Sequence, residues 1–249
     1  MALSMAMPRL FHVSDLHFGR ADREALDWFA ARVRDERPDG VVVTGDLTMR
    51  ARSAEWAAAA EWLSRLDAPL SIEPGNHDLP YYNPFRRFIS PYARFDRVER
   101  AVERPLLAPG VWLVPLRTTK RAQWRLNWSW GAVVAGRLEC ALKLLRERPP
   151  DHVAVVACHH PLVDSGGLDD HARTLGGREA LDALSHAGAD AVLSGHVHDA
   201  FDVVWPAAGG PVRLIGAGTL SQRVRGSPPS FNELIVDRGA LDVRVREMR

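Results

Sequence analysis

Leu10-Phe11-His12-Val13-Ser14-Asp15-Leu16-His17 sets a short apolar run directly before a carboxylate and an imidazole. A run this short reads as a buried strand, so Asp15 and His17 fall where the strand ends. The arrangement recurs along the chain. Gly40 to Thr44 precedes Gly45-Asp46, and Leu70 to Glu73 precedes Pro74-Gly75-Asn76-His77-Asp78. His152 to Cys158 precedes His159-His160, and Ala191 to Ser194 precedes Gly195-His196-Val197-His198.

Helical periodicity fills the spaces between these strands. Ala25, Leu26, Trp28, Phe29 and Val33 give Arg23 to Glu36 an apolar face. Ser53 reads as the N-cap of a helix through Arg65, with Trp56, Leu63 and Leu66 on its buried side. Leu138, Ala141, Leu142 and Leu145 stripe a helix from Gly136 to Arg148, and Gly188 stops another from Arg178 to Ala187. Val111 to Leu116 is a further strand. Alternating strands and helices predict an α/β fold with parallel pairing and right-handed crossovers. The loops after such strands open on one sheet edge, where ligands bind. Pro80 to Arg104 reads as an inserted cap segment, and Val203 to Val245 as an antiparallel second sheet. Trp124, Trp128 and Trp130 lie in a stretch, 117–135, that the pattern does not place.

Bulk properties narrow the class. The 249 residues, 46% hydrophobic, suit one domain spanning the chain. Net charge is +1 from 32 basic and 31 acidic residues, which favours neither nucleic acid nor an anionic membrane. Cys140 and Cys158 both read as small buried hydrophobes, and two cysteines fit a reducing compartment. No secretory leader is legible, and no apolar stretch reaches the roughly 20 residues that span a bilayer. The expectation is a soluble cytoplasmic protein.

Taken singly, each cluster has a plain reading as a turn or a strand end. Jointly they offer carboxylates, imidazoles and one amide at strand ends, a donor set suited to a pair of divalent metals. Gly195-His196-Val197-His198 is the strongest single signal, because alternate residues of an extended segment point the same way.

The order Asp-x-His, Gly-Asp, Gly-Asn-His-Asp, His, Gly-His-x-His resembles the calcineurin-like metallophosphoesterase superfamily, with all five blocks intact from residue 15 to 198. The resemblance implies a four-layer α-β-β-α sandwich of two mixed sheets flanked by helices. By position, Asp15, His17 and His198 would hold one metal, Asn76, His159 and His196 the other, and Asp46 would bridge them. Mn, Fe, Zn and Co all suit the donors. A water shared by the metals would attack phosphorus in line. His77 would face the substrate as general acid or transition-state stabiliser, with Asp78 orienting it.

The similarity is greatest to the bacterial branch of class III cyclic-nucleotide phosphodiesterases and glycerophosphodiesterases, carried by Ser14 to Gly19, Gly45 to Thr48, His159-His160-Pro161 and Gly218 to Glu233. Leu47-Thr48-Met49-Arg50 after Asp46 departs from the protein phosphatases, and no tyrosine follows as in purple acid phosphatases. A small phosphodiester, or a small phosphomonoester, is the expected substrate, and a homodimer the possible assembly. DNA cleavage and a non-catalytic interaction module are the rival readings. Arg20, Arg50, Arg86 and Arg87 are candidate phosphate contacts, as are Asp169, Asp170 and His171 in the 162–177 loop.

Overall fold

The computed structural model describes residues 7–106, 108–121, 129–164 and 174–249. Its strands, in chain order, are β1 (Arg9–Val13), β2 (Gly40–Val43), β3 (Leu70–Ile72), β4 (Val111–Pro115), β5 (Gly131–Ala132) and β6 (Val153–Ala157). They continue as β7 (Thr174–Leu175), β8 (Ala191–Ser194), β9 (Phe201–Ala207), β10 (Gly210–Gly216), β11 (Ser230–Asp237) and β12 (Ala240–Glu247). The helices are α1 (Arg23–Glu36), α2 (Ser53–Ser64), α3 (Pro84–Ile89), α4 (Phe95–Val102), α5 (Ala135–Arg146) and α6 (Gly177–His186).

One sheet runs β12-β11-β1-β2-β3 and the other β4-β6-β8-β10-β9, with β5 and β7 as a small separate pair. β1, β2 and β3 are parallel, as are β4, β6, β8 and β10. β11, β12 and β9 pair antiparallel to their neighbours, so both sheets are mixed.

Side-chain alternation makes four layers from these two sheets. In β2, Val41 and Val43 face α1, α2 and α4, while Val42 faces the other sheet. In β6, Ala154 and Val156 face α5 and α6, while Val153, Val155 and Ala157 look inward. A strand covered on both faces must be apolar at every position, which is why these runs read as continuous. Phe11, Phe29 and Phe231 stack beneath α1, with ring centroids 4.6 Å apart for Phe11–Phe231 and 5.0 Å for Phe29–Phe231. Polar contacts tie the sheets together, among them Arg213 on β10 donating to Leu241 O on β12. Asn232 on β11 donates to Gly216 O on β10 at 2.9 Å and lies 3.2 Å from His12 Nδ1. Burial lowers the His12 imidazole to about 3, so it is neutral and shares a hydrogen bond with Thr44 Oγ1 at 2.9 Å.

Three expectations need correction, and one segment gains detail. The tail forms no sheet of its own: the β9–β10 hairpin extends one sheet and β11–β12 the other. Each covers an edge that the parallel strands leave open. The Pro80–Arg104 segment carries two helices, and α4 buries Phe95, Val98 and Val102 against α2. Cys140 is exposed, because Ala141 and Leu145 take the inward face of α5. Arg52, not Ser53, caps α2; the Glu55 carboxylate reaches back to the amides of Arg50 and Arg52 at 2.8 and 3.2 Å. Trp124, Trp128, Asp169, Asp170 and His171 lie outside the described residues. Among those described, no helix is long and apolar enough to cross a membrane.

Glu73, just past β3, is buried, and that burial pushes its carboxyl up from 4.5 to about 8 against the pull of Arg117. Between those values the folded state holds more protons than the unfolded chain, so its contribution to stability falls as pH rises. Glu73→Gln should therefore raise the melting temperature at about pH 8, and the gain should vanish near about pH 4. Thermal melts across that range check this, and an equal gain at every pH would refute it.

Candidate metal centre

The five strand-end clusters converge because their backbones turn back sharply. Asp15, His17, Asp46, His196 and His198 all have φ from 45° to 72°. That left-handed conformation costs a non-glycine residue on the order of 1 kcal/mol. Cross-loop hydrogen bonds hold it: Asp15 N donates to Gly45 O at 3.0 Å and His17 N to Asp46 O at 2.9 Å. His196 N donates to Asp15 Oδ2 at 2.8 Å. The approach of the loops leaves no room for side chains at three glycines, Gly195 among them, where a Cβ would collide with Ser14 Oγ and stand 2.7 Å from Asp15 Oδ2. A Cβ on Gly45 would stand 2.6 Å from His159 Nδ1, and one on Gly75 would collide with Asp46 Oδ1 and N.

Donor atoms face one another in the space this creates. His198 Nε2 is 3.1 Å from Asp15 Oδ1, and His17 Nε2 is 3.5 Å from it. The two imidazole nitrogens are 3.2 Å apart. On the other side, His159 Nε2 is 3.5 Å from Asp46 Oδ2 and 3.2 Å from Asn76 Oδ1. Asp46 Oδ2 is also 3.7 Å from His17 Nε2, so it adjoins both groups. Ligands about 2.1 Å from one ion sit roughly 3.0–3.4 Å from each other, and the separations of 3.1 and 3.2 Å fall in that range. Asp15 Oδ1 is buried without a hydrogen bond, as a ligand atom would be.

Two of the imidazoles are pinned on their opposite edge. His198 Nδ1 bonds Arg223 O at 2.8 Å and His159 Nδ1 bonds Thr44 O at 2.7 Å, which turns both Nε2 atoms inward. His160 clusters with His159 and His196. Its Nδ1 is taken by Thr118 Oγ1 at 2.9 Å and its Nε2 by Ser129 O at 3.0 Å, so it packs beside the site as a neutral wall.

Charge explains the rest of the shell. Burial opposes ionisation of Asp15 and Asp46, yet nearby imidazoles hold both carboxyls well below the usual range, chiefly His198 for Asp15 and His159 for Asp46. The reciprocal effect on His159 is large: burial would lower it, but Asp46 raises it to about 9.

His77 borders the donors, its ring 4.9 Å from that of His17. Asp78 does not orient it. The Asp78 carboxylate instead accepts from Gly75 N, Leu47 N, Thr48 N and Thr48 Oγ1 at 2.8 to 3.1 Å, tying the Asp46 loop to the Asn76 turn. Burial and the Asp46 charge push Asp78 up to about 7. Met49 O fixes His77 through Nδ1 at 2.7 Å, leaving Nε2 toward the site.

Arg223 is the residue that sequence reading missed. Its Nη1 lies 3.1 Å from His17 Nε2 and 3.3 Å from His77 Nε2. Thr219 Oγ1 donates to Asp15 O at 2.7 Å and contacts Ser221 Oγ at 2.7 Å, which in turn accepts from Arg223 N at 3.3 Å. The i, i+2, i+4 spacing of Thr219, Ser221 and Arg223 is the available signal. The other suggested arginines stand apart from the donor cluster: Arg20 is exposed, Arg50 bonds Tyr82 Oη, and buried Arg87 donates to Arg121 O.

Because a cation must displace the His159 proton, apparent metal affinity should climb as pH rises from about 6 to about 9. Calorimetry in buffers of different ionisation enthalpy should register proton release, and pH-independent uptake without release would contradict this. Gly75→Ala should lower stability by about 1–3 kcal/mol and weaken metal uptake, since Asp46 must shift.

Comparison with known proteins gives the family and the fold. The family model described as calcineurin-like phosphoesterase matches residues 8–200. A 3′,5′-cyclic adenosine monophosphate phosphodiesterase of Escherichia coli K12 is 28% identical over 215 residues, covering 80% of this chain and 73% of that protein. A glycerophosphodiester phosphodiesterase of Enterobacter lignolyticus is 34% identical over 80 residues, 28% of this chain and 29% of that protein. In fold, a dimetal phosphatase from Danio rerio is similar with a TM-score of 0.68 at 13% identity, over 96% of both chains. A purple acid phosphatase from yellow lupin gives 0.66 at 13% identity, over 98% of this chain and 52% of the larger one. A family match across most of the chain, on the loops where the donors meet, means that this protein belongs to the calcineurin-like phosphoesterase family.

Proposed function

We propose that the protein is a dinuclear-metal-dependent phosphoester hydrolase acting on small phosphodiesters of the cyclic-nucleotide or glycerophosphodiester type. One observation carries the reading: two inward-facing donor groups, joined through Asp46, stand beside His77 Nε2 and the Arg223 guanidinium. Asp15, His17 and His198 would hold one ion, Asn76, His159 and His196 the other, with Asp46 between. Bound divalent ions supply Lewis acidity, which activates water at neutral pH and draws charge from phosphoryl oxygens. The sequence relatives named as phosphodiesterases favour a diester.

The chain's own groups complete the chemistry. His77, held by Met49 O at Nδ1, presents Nε2 to give a proton to the departing oxygen. Arg223 offers planar donors to a phosphoryl oxygen. Asp78 keeps the two loops together and so keeps His77 and Asp46 in register. Asp46 Oδ1 accepts from His77 N at 2.8 Å, which couples the metal bridge to the proton donor.

The test uses protein stripped of metal and refilled singly with Mn, Fe, Zn or Co, with bis(p-nitrophenyl) phosphate set against p-nitrophenyl phosphate. Faster diester turnover that disappears in Asp46→Asn supports the reading; faster monoester turnover makes the protein a phosphatase. His77→Ala should lower kcat by about a hundredfold or more with metal content unchanged. Arg223→Ala keeps the carbonyl that holds His198, so it should retain both ions yet lose about tenfold or more in kcat/KM. Loss of metal in that variant would give Arg223 a structural role instead.

A further inference from the structure

Two adjoining clefts open beside the loops that carry Asp46 and His77. One, of about 350 Å3, is lined by Arg50, Arg52, Tyr82, Arg86 and Arg94 among others. The second, of about 720 Å3, is lined by Arg86, Arg94 and Arg97. Ser53 and Pro80 belong to both walls. We propose that this arginine-lined cleft binds a phosphate group that the substrate carries beyond the scissile one. The proposal rests on the hydrolase reading for its link to turnover, while the cleft's affinity for phosphate stands by itself.

Charge makes the case. No aspartate or glutamate lines either cleft. Elsewhere the arginines are neutralised at close range: Arg148 by Asp190 at 2.8 Å, Arg213 by Asp202 at 2.6 Å and Arg246 by Glu233 at 2.8 Å. Among the described residues, no carboxylate pairs with the guanidinium of Arg50, Arg52, Arg86, Arg94 or Arg97. The nearest acid, Glu55, is engaged by the backbone amides of Arg50 and Arg52. Five like charges around two adjoining clefts that share Arg86 and Arg94 repel, and a multiply charged anion relieves that repulsion.

The groups are also held in place. Arg50 Nη1 donates to Tyr82 Oη at 2.6 Å, and the Arg52 guanidinium lies 5.8 Å from the centre of the same ring. Arg94 donates to Ala51 O and, at 3.1 Å, to Ser53 Oγ. Planar guanidinium groups fixed this way suit bidentate contact with phosphate. Position links the cleft to the reaction. Arg50 follows Met49, whose carbonyl fixes His77, and Pro80 comes two residues after Asp78. A substrate ester placed at His77 therefore runs its far end along the arginines.

The experiment compares the p-nitrophenyl ester of thymidine 5′-phosphate with the same ester bearing a 3′-phosphate, on metal-loaded protein at low ionic strength. The 3′-phosphorylated ester should show kcat/KM higher by about tenfold or more. The ratio should fall to near one in the Arg86→Ala/Arg97→Ala double variant and persist in Arg65→Ala, which removes an exposed arginine elsewhere on the surface. A parental ratio near one, or a ratio that survives the double variant, overturns the proposal. Calorimetry with inorganic pyrophosphate on chelator-treated protein runs alongside. If no metal gives turnover of either ester, the hydrolase reading fails, and calorimetry decides the cleft alone. Pyrophosphate binding lost in the double variant upholds it, and no binding to the parent, or binding kept in the variant, refutes it.

Discussion

Two ionised carboxylates, Asp15 and Asp46, are buried where the two sheets meet, and everything near them answers that burial. A charge removed from water costs several kcal/mol unless it is paired and hydrogen-bonded. Backbone amides of His196 and His77 take one oxygen of each, and imidazoles surround the other. To bring those partners within reach, the chain accepts left-handed backbone at five donors and glycine at three close approaches. The strain and the missing side chains are thus consequences of the buried charge.

Much of this was legible because strand-end position follows from local pattern. Continuous valine runs mark strands covered on both faces, and α1 begins and ends where its apolar spacing does. Less visible were relations set by distant contacts. The β9–β10 and β11–β12 hairpins look alike in sequence, and only the open edges available to them divide them between sheets. Cys140 sits one residue from the buried stripe of α5, a rotation that periodicity barely resolves. Asp78 neighbours His77 in sequence, but the amides of Leu47 and Thr48 compete for its oxygens and win by number. Arg223 reaches the donors through a hydrogen-bonded relay beginning at Asp15 O, of which the sequence shows only the alternate spacing of Thr219, Ser221 and Arg223.

The near-neutral net charge of +1 conceals a strong segregation of charge. Carboxylates neutralise arginines along β10–β12 and the end of α1, while among the described residues none pairs with Arg50, Arg52, Arg86 or Arg94 around the cleft. A global sum averages these regions and so excludes a broad basic surface without speaking to a local one. Exposed Tyr81, Tyr82, Phe85, Phe88 and Ile89 lie in the same segment, so the surface beside the donors is at once cationic and apolar.

The donors come from both sheets: Asp15, His17, Asp46 and Asn76 from one, His159, His196 and His198 from the other. Asp15 and His196 lie 181 residues apart in the chain. An ion held by Asp15 and His198, two residues on, would close a loop spanning most of the molecule, the entropic role that a long-range disulfide fills elsewhere. Both cysteines here are free. A metal centre there would act as a cross-link between the sheets, indifferent to reductants and sensitive to chelators. Its donors meet only where the two sheets dock, so metal supply would bear on the finished structure as well as on its chemistry.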